Sequence, residues 1–153
     1  EVDNTDAEGR LTLADALCYA CELNVDEVID IATLTGACVV ALGSHISGIM
    51  GNDDNFIESL IETGKDAGEK LWKLPMDREY FDSLKSEIAD MKNTGSRMGG
   101  ASAAGVFLQE FVEGPKWAHI DIAGTAYIEK PQKEFIAGAT GAGVRTLLSY
   151  VTK

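Results

Sequence analysis

The feature that most constrains this chain is a change of hydrophobic period near its front. Leu13, Ala16, Leu17, Ala20 and Cys21 recur at helical spacing, and Asn24-Val25-Asp26 then breaks the pattern. Val28-Ile29-Asp30-Ile31-Ala32 follows as a largely apolar, β-branched run. A run of that kind reads as a strand buried in a sheet with both faces covered. With Glu1-Val2-Asp3 in front as the end of an earlier strand, the order is strand, helix, strand. The expected fold class is therefore α/β, a mixed central sheet flanked by helices on both faces.

The rest of the chain continues in the same style. Thr12-x-x-Asp15 resembles a capping box for the first helix, which runs to about Leu23. Residues 33–36 close the strand in a turn, residues 38–42 form a second short apolar run, and residues 47–51 form a weaker third. Active sites favour such strand ends. Phe56, Ile57, Leu60, Ile61 and Gly64 mark an amphipathic helix starting near Asp54, and residues 72–75 a short extended link. Tyr80, Phe81 and Leu84 indicate another helix, and the polar, glycine-rich residues 90–100 a surface or interface loop. Ala104, Phe107, Leu108, Phe111 and Val112 give the next helix, which Gly114-Pro115 ends. Residues 117–122 read as a strand, and Val144, Leu147, Leu148 and Val151 as a closing helix.

Composition narrows the partners. A chain of 153 residues with 45% hydrophobic residues suits one globular domain with a core. Its 13 basic and 25 acidic residues leave a net charge of -12, which repels phosphate backbones and anionic membrane surfaces. Neither nucleic acid nor membrane is an expected partner, and without an apolar span or a signal-peptide pattern the expected location is cytoplasmic. Three cysteines disfavour a disulfide framework. Cys18 and Cys21 form a C-x-x-C inside a helical pattern, away from the helix N-terminus that lowers a redox thiol's pKa. They read, with Cys38, as small buried hydrophobes.

The chemistry concentrates in Asn4-Thr5-Asp6-Ala7-Glu8-Gly9-Arg10-Leu11. If this stretch is extended, Asp6, Glu8 and Arg10 share a face, with successive side chains about 6.5 to 7 Å apart at the backbone. Both acids can then reach one pair of cations. Glu8, one methylene longer, suits a bridge between two metals roughly 3.5 to 4 Å apart. On a solvated loop the same residues would form only a weak Glu8 to Arg10 ion pair. His119 and Asp121 point to one face of their strand, as a ligand pair, an acid/base couple or simply a satisfied core histidine. His45 reads as exposed and ordinary. Lys92 and Arg97 could hold an anion, but no G-x-x-x-x-G-K-[ST] supports a phosphate-cradling loop.

The eight residues from Asn4 to Leu11 resemble the signature of the leucyl aminopeptidase family, cytosolic metallopeptidases with two metal ions per site. Further matching stretches follow in order: Ala32-Thr33-Leu34-Thr35-Gly36-Ala37, Ala89-Asp90-Met91 with Gly99-Gly100, and Trp117-Ala118-His119-Ile120-Asp121-Ile122-Ala123-Gly124. The resemblance covers essentially the whole chain, residues 1–153, as the later part of the catalytic domain. The chain lacks an initiating Met and reads as part of something longer.

The resemblance implies that Asp6 and Glu8 are metal ligands, with Glu8 bridging, and that Arg10 works with a bound bicarbonate in catalysis. Thr33, Leu34 and Gly36 then line the pocket for the substrate's first side chain, together with Ala123 and Ala126. The cofactors would be two divalent cations, Mn²⁺ or Zn²⁺, the substrates peptides, and the assembly a homohexamer of two trimers. The family's remaining ligands, a lysine and two aspartates, and its second catalytic lysine precede the signature and lie outside this chain, so the 153 residues alone should be inactive. Many relatives have Arg-Pro in place of Ala142-Gly143, at the start of the last helix. A two-metal phosphoesterase or amidase would use the same acids, and a non-catalytic assembly module would leave them merely solvated.

Overall fold

The computed structural model describes residues 1–131 and 136–153. Helix α1 (Gly9–Glu22) begins before Thr12, so the Thr12–Asp15 pair lies inside it and caps nothing. Glu8 occupies the N-cap position with a helical backbone and no side-chain cap. The helix ends as expected at Leu23, and Asn24 follows at φ +53°, a left-handed conformation that Asn tolerates. Its buried stripe is Arg10, Ala14 and Leu17, whereas Ala16 and Cys18 are exposed. The stripe expected from spacing is thus rotated, and Cys18 is not a buried hydrophobe. Residues 1–4 belong to no strand.

Four strands form the central sheet in the order β1 (Glu27–Ala32), β4 (Lys116–Asp121), β2 (Ser47–Gly51), β3 (Leu71–Lys73). β1 and β4 are parallel, β4 and β2 antiparallel, and β2 and β3 parallel, so the sheet is mixed. Within the described residues β1 is an edge strand, which is why it is half-buried rather than interior. At Gly51 the strands close up: a Cβ there would stand 2.2 Å from the Trp117 carbonyl oxygen.

Alternation along β4 divides the core. Trp117 joins Ala14, Leu17, Val106, Phe107 and Leu84 on one face; Ala118 and Ile120 join Ile49, Phe56, Ile57 and Leu60 on the other. The first group packs under α1 and α4 (Gly100–Gln109), the second under α3 (Asp54–Asp66). Both faces are covered, as α/β architecture requires. The Asp53 side chain caps α3 by accepting the Phe56 N–H at 2.8 Å.

Three local expectations change. The apolar run at 38–42 belongs to a helix, α2 (Gly36–Leu42), because Thr35 caps it by accepting the Cys38 N–H at 3.0 Å. Arg78–Leu84 is a 3-10 helix. A short antiparallel pair, β5 (Tyr127–Ile128) and β6 (Gly138–Ala139), follows the sheet. The closing helix α5 (Val144–Val151) is where its periodicity puts it. Gly143 precedes it at φ +86° and donates its N–H to Glu69 Oε1 at 3.0 Å; a proline could provide neither. Among the described residues no helix is long and apolar enough to cross a membrane.

Candidate active site

The front stretch is a turn followed by a helix, which overturns the extended reading. Asn4 Oδ1 accepts the Asp6 N–H at 2.9 Å, the Asn4 carbonyl accepts the Ala7 N–H at 3.2 Å, and the Glu8 carbonyl accepts the N–H groups of Leu11 and Thr12. Residues two apart at a helix start point to opposite sides. Glu8 and Arg10 accordingly part, Glu8 exposed and Arg10 buried, and Asp6 is exposed in the turn that precedes the helix. None of the three forms an ion pair among the described residues, so the weak Glu8 to Arg10 pair is absent too.

Asn93 holds this stretch in place. Only 1% exposed, it accepts the N–H groups of Asp3 and Asn4 through Oδ1 at 3.0 and 3.3 Å, and donates through Nδ2 to the carbonyls of Asn4 and Ala7 at 2.7 and 3.3 Å. The loop expected to be surface or interface therefore sends one side chain inward. Lys92, its neighbour, lies 3.5 Å from Asp3 Oδ2, and Arg97 is exposed. Asn93 was not singled out by sequence, where one Asn in a polar loop carries no distinguishing signal.

Arg10 lies against the Phe107 ring, its guanidinium carbon 5.9 Å from the centroid, and its buried Nε has no hydrogen-bond partner. Burial lowers its pKa, partly offset by the negative charge of Asp121. A buried guanidinium with a free N–H is a ready donor to an anion.

Asp121 organises the second half of the site. Its Oδ1 accepts the Leu34 and Ala123 N–H groups, both at 3.1 Å, and its Oδ2 accepts the Thr35 hydroxyl at 2.7 Å. The loop after β1, with exposed Thr33, half-buried Leu34 and exposed Gly36, is thereby tied to the turn after β4 that carries the half-buried Ala123 and Ala126. Cys38 lies beside this carboxylate, and burial foremost pushes its thiol pKa up to about 11. His119 is not coupled to Asp121. It is fully buried, and its Nδ1 bonds Asp30, which also accepts the Trp117 indole N–H at 2.6 Å. Its Nε2 lacks a partner, so the satisfied core histidine is only half satisfied.

Asp6 and Glu8 suit hard divalent cations by donor type, but among the described residues no three His, Cys, Asp or Glu side chains gather as a metal-binding group. A separate cavity of about 410 Å³, bordered by Ser47, Glu69, Thr125 and Thr140, contains none of the expected site residues. His45 also borders it, exposed as expected.

Residues 1–148 match the catalytic domain of the cytosol aminopeptidase family. A probable cytosol aminopeptidase of Synechococcus elongatus is 56% identical over 151 residues, covering 99% of this chain and 31% of that protein. One from Prochlorococcus marinus is 54% identical over 154 residues, covering 100% and 31%. The solved structure of a tomato leucine aminopeptidase mutant superposes with a TM-score of 0.93 at 47% identity, over 99% of this chain and 29% of that one. The chain thus spans just under a third of the length of the curated relatives it matches.

Proposed function

The chain belongs to the cytosol aminopeptidase family, and from that membership we propose that the whole protein is a metal-dependent aminopeptidase. It releases N-terminal amino acids from peptides, leucine-like ones preferred, and these 153 residues are the later part of its catalytic domain. The observation that carries the reading to chemistry is the divided front of α1. Two exposed, unpaired carboxylates stand outside and a buried guanidinium with a free N–H lies inside.

Asp6 and Glu8 would hold the cations, Mn²⁺ or Zn²⁺, with Glu8 bridging. Two ligands cannot complete a tetrahedral or octahedral shell, so further donors come from outside this chain. The chemistry such cations supply when bound is polarisation of the scissile carbonyl and activation of a water. Arg10 would hold an anion such as bicarbonate by charge-assisted hydrogen bonds from its unpartnered Nε–H. The chemistry such an anion would supply when bound is a basic oxygen for the proton that hydrolysis moves. Thr33, Leu34 and Gly36 meet the substrate's first residue, and the small Ala123 and Ala126 leave room for a bulky apolar side chain. A homohexameric assembly and a cytoplasmic location belong to the same proposal.

Assay of the whole protein with leucine p-nitroanilide and with a phosphodiester, in Mn²⁺ or Zn²⁺, tests it. Leucine release is expected, and its absence under every metal condition overturns the assignment. Glu8→Gln removes a formal charge at nearly constant shape. It should lower both metal content and kcat, by more than the roughly 10–100-fold that loss of an outer-shell partner causes.

A further inference from the structure

Asp121 is fully buried and takes part in no ion pair among the described residues. A buried carboxylate is costly unless hydrogen bonds compensate it. All three of its side-chain bonds come from the two segments expected to form the substrate pocket. Leu34 and Ala123 donate backbone N–H groups to Oδ1, and Thr35 donates its hydroxyl to Oδ2. The Thr35 oxygen accepts the Cys38 N–H in turn, so the same chain of bonds fixes the start of α2. Leu34 and Asp121 are 87 residues apart in sequence, and no local pairing could hold these segments together. Three donors converging on two oxygens call for a carboxylate: an amide would turn an NH₂ toward the Thr35 hydroxyl, and a charged acceptor makes each bond stronger.

Resting on the aminopeptidase reading, we propose that Asp121 is a positioning residue for the substrate's first side chain. It holds the 33–36 loop and the 122–126 turn at one separation and so sets the width of the pocket without itself touching substrate. If the carboxylate served stability alone, its loss would lower the denaturation midpoint but would not change which side chains are preferred.

The test uses the whole protein. Asp121→Asn keeps the shape, removes the charge and weakens the bond to Thr35. Loss of one charge-assisted hydrogen bond corresponds to roughly a tenfold to hundredfold change. That change should fall on KM for leucine p-nitroanilide, with metal content unchanged and the preference for leucyl over alanyl substrate reduced. Because the Asp121 charge also acts on Arg10, kcat is read in Thr35→Val, which keeps that charge and should move kcat less than about threefold. Thr35→Val should act in the same direction, and Thr35→Ser should restore the original values. Hydrogen exchange provides a readout independent of activity: the Leu34 and Ala123 amides should exchange faster in Asp121→Asn while those of α3 do not change. Unchanged preference and exchange in both Asp121→Asn and Thr35→Val overturn the proposal, as does faster exchange throughout the molecule. If the unmodified protein releases no amino acid, the aminopeptidase reading falls and exchange alone decides: an effect confined to the two segments retains Asp121 as their clamp, and no effect removes it.

Discussion

Asn93 uses both ends of its amide on the backbone that carries Asp6 and Glu8. Asn93→Ala strands two N–H groups and two carbonyls at once. With unmet buried groups costing about 1–3 kcal/mol each and solvent re-satisfying some of them, a loss of about 2–4 kcal/mol is expected in urea denaturation of the whole protein. Asn93→Asp should cost more, because it aims an acceptor at the Asn4 and Ala7 carbonyls. An unchanged midpoint in both variants would show that the clamp contributes nothing. Sequence reading singled out Asp6, Glu8 and Arg10 but not the residue that places them, because a side chain bonding residues 86 to 90 positions away leaves no local pattern. The same limit hid the Asp30 partner of His119, 89 residues distant.

Elements whose burial follows from their own spacing were legible in sequence, and those set by a cap or a neighbour were not. The amphipathic pattern of α3 locates the helix and its buried face; that of α5 locates the helix, but Val144, Leu148 and Val151 of its apolar stripe are exposed and Thr146 is the residue buried. Val39 and Val40 make α2 look like a strand, yet Val40 is 90% exposed and the Thr35 cap decides the conformation. Strand contact gives the clearest prediction at this scale. Gly51→Ala drives a Cβ into the backbone of Trp117 and Ala118, where neither strand can yield without breaking the ladder. Gly105→Ala meets the sulfur atoms of Met50 and Met76 at 2.6 and 2.8 Å, the movable ends of flexible side chains, and adds helix propensity to α4. Gly51→Ala should therefore cost about 1–3 kcal/mol or more and Gly105→Ala clearly less, measured as midpoint shifts in denaturant. The reverse order would contradict the packing described.

At the scale of the whole molecule, several large apolar side chains remain uncovered in this chain, among them Val40, Ile88, Met98 and Trp72 at 62–90% exposure. In the proposed homohexamer of the whole protein such faces would be covered. Light scattering of the whole protein at micromolar concentration should give a mass near six protomers. A monomer mass would remove the hexamer and leave the chemistry at Asp6, Glu8 and Arg10 untouched. The amino-acid sequence by itself determined the α/β class, most of the elements and the family, because hydrophobic period and short motifs are properties of neighbouring residues. Tertiary structure alone decided that Glu8 and Arg10 face opposite ways, that Asn93 turns inward, and that Asp121 ties two distant loops together. The first follows from the helix that starts at Gly9 packing its inner side on the core, and the other two depend on a buried polar group finding its partners across the fold, a pairing that exists only once the chain has closed on itself.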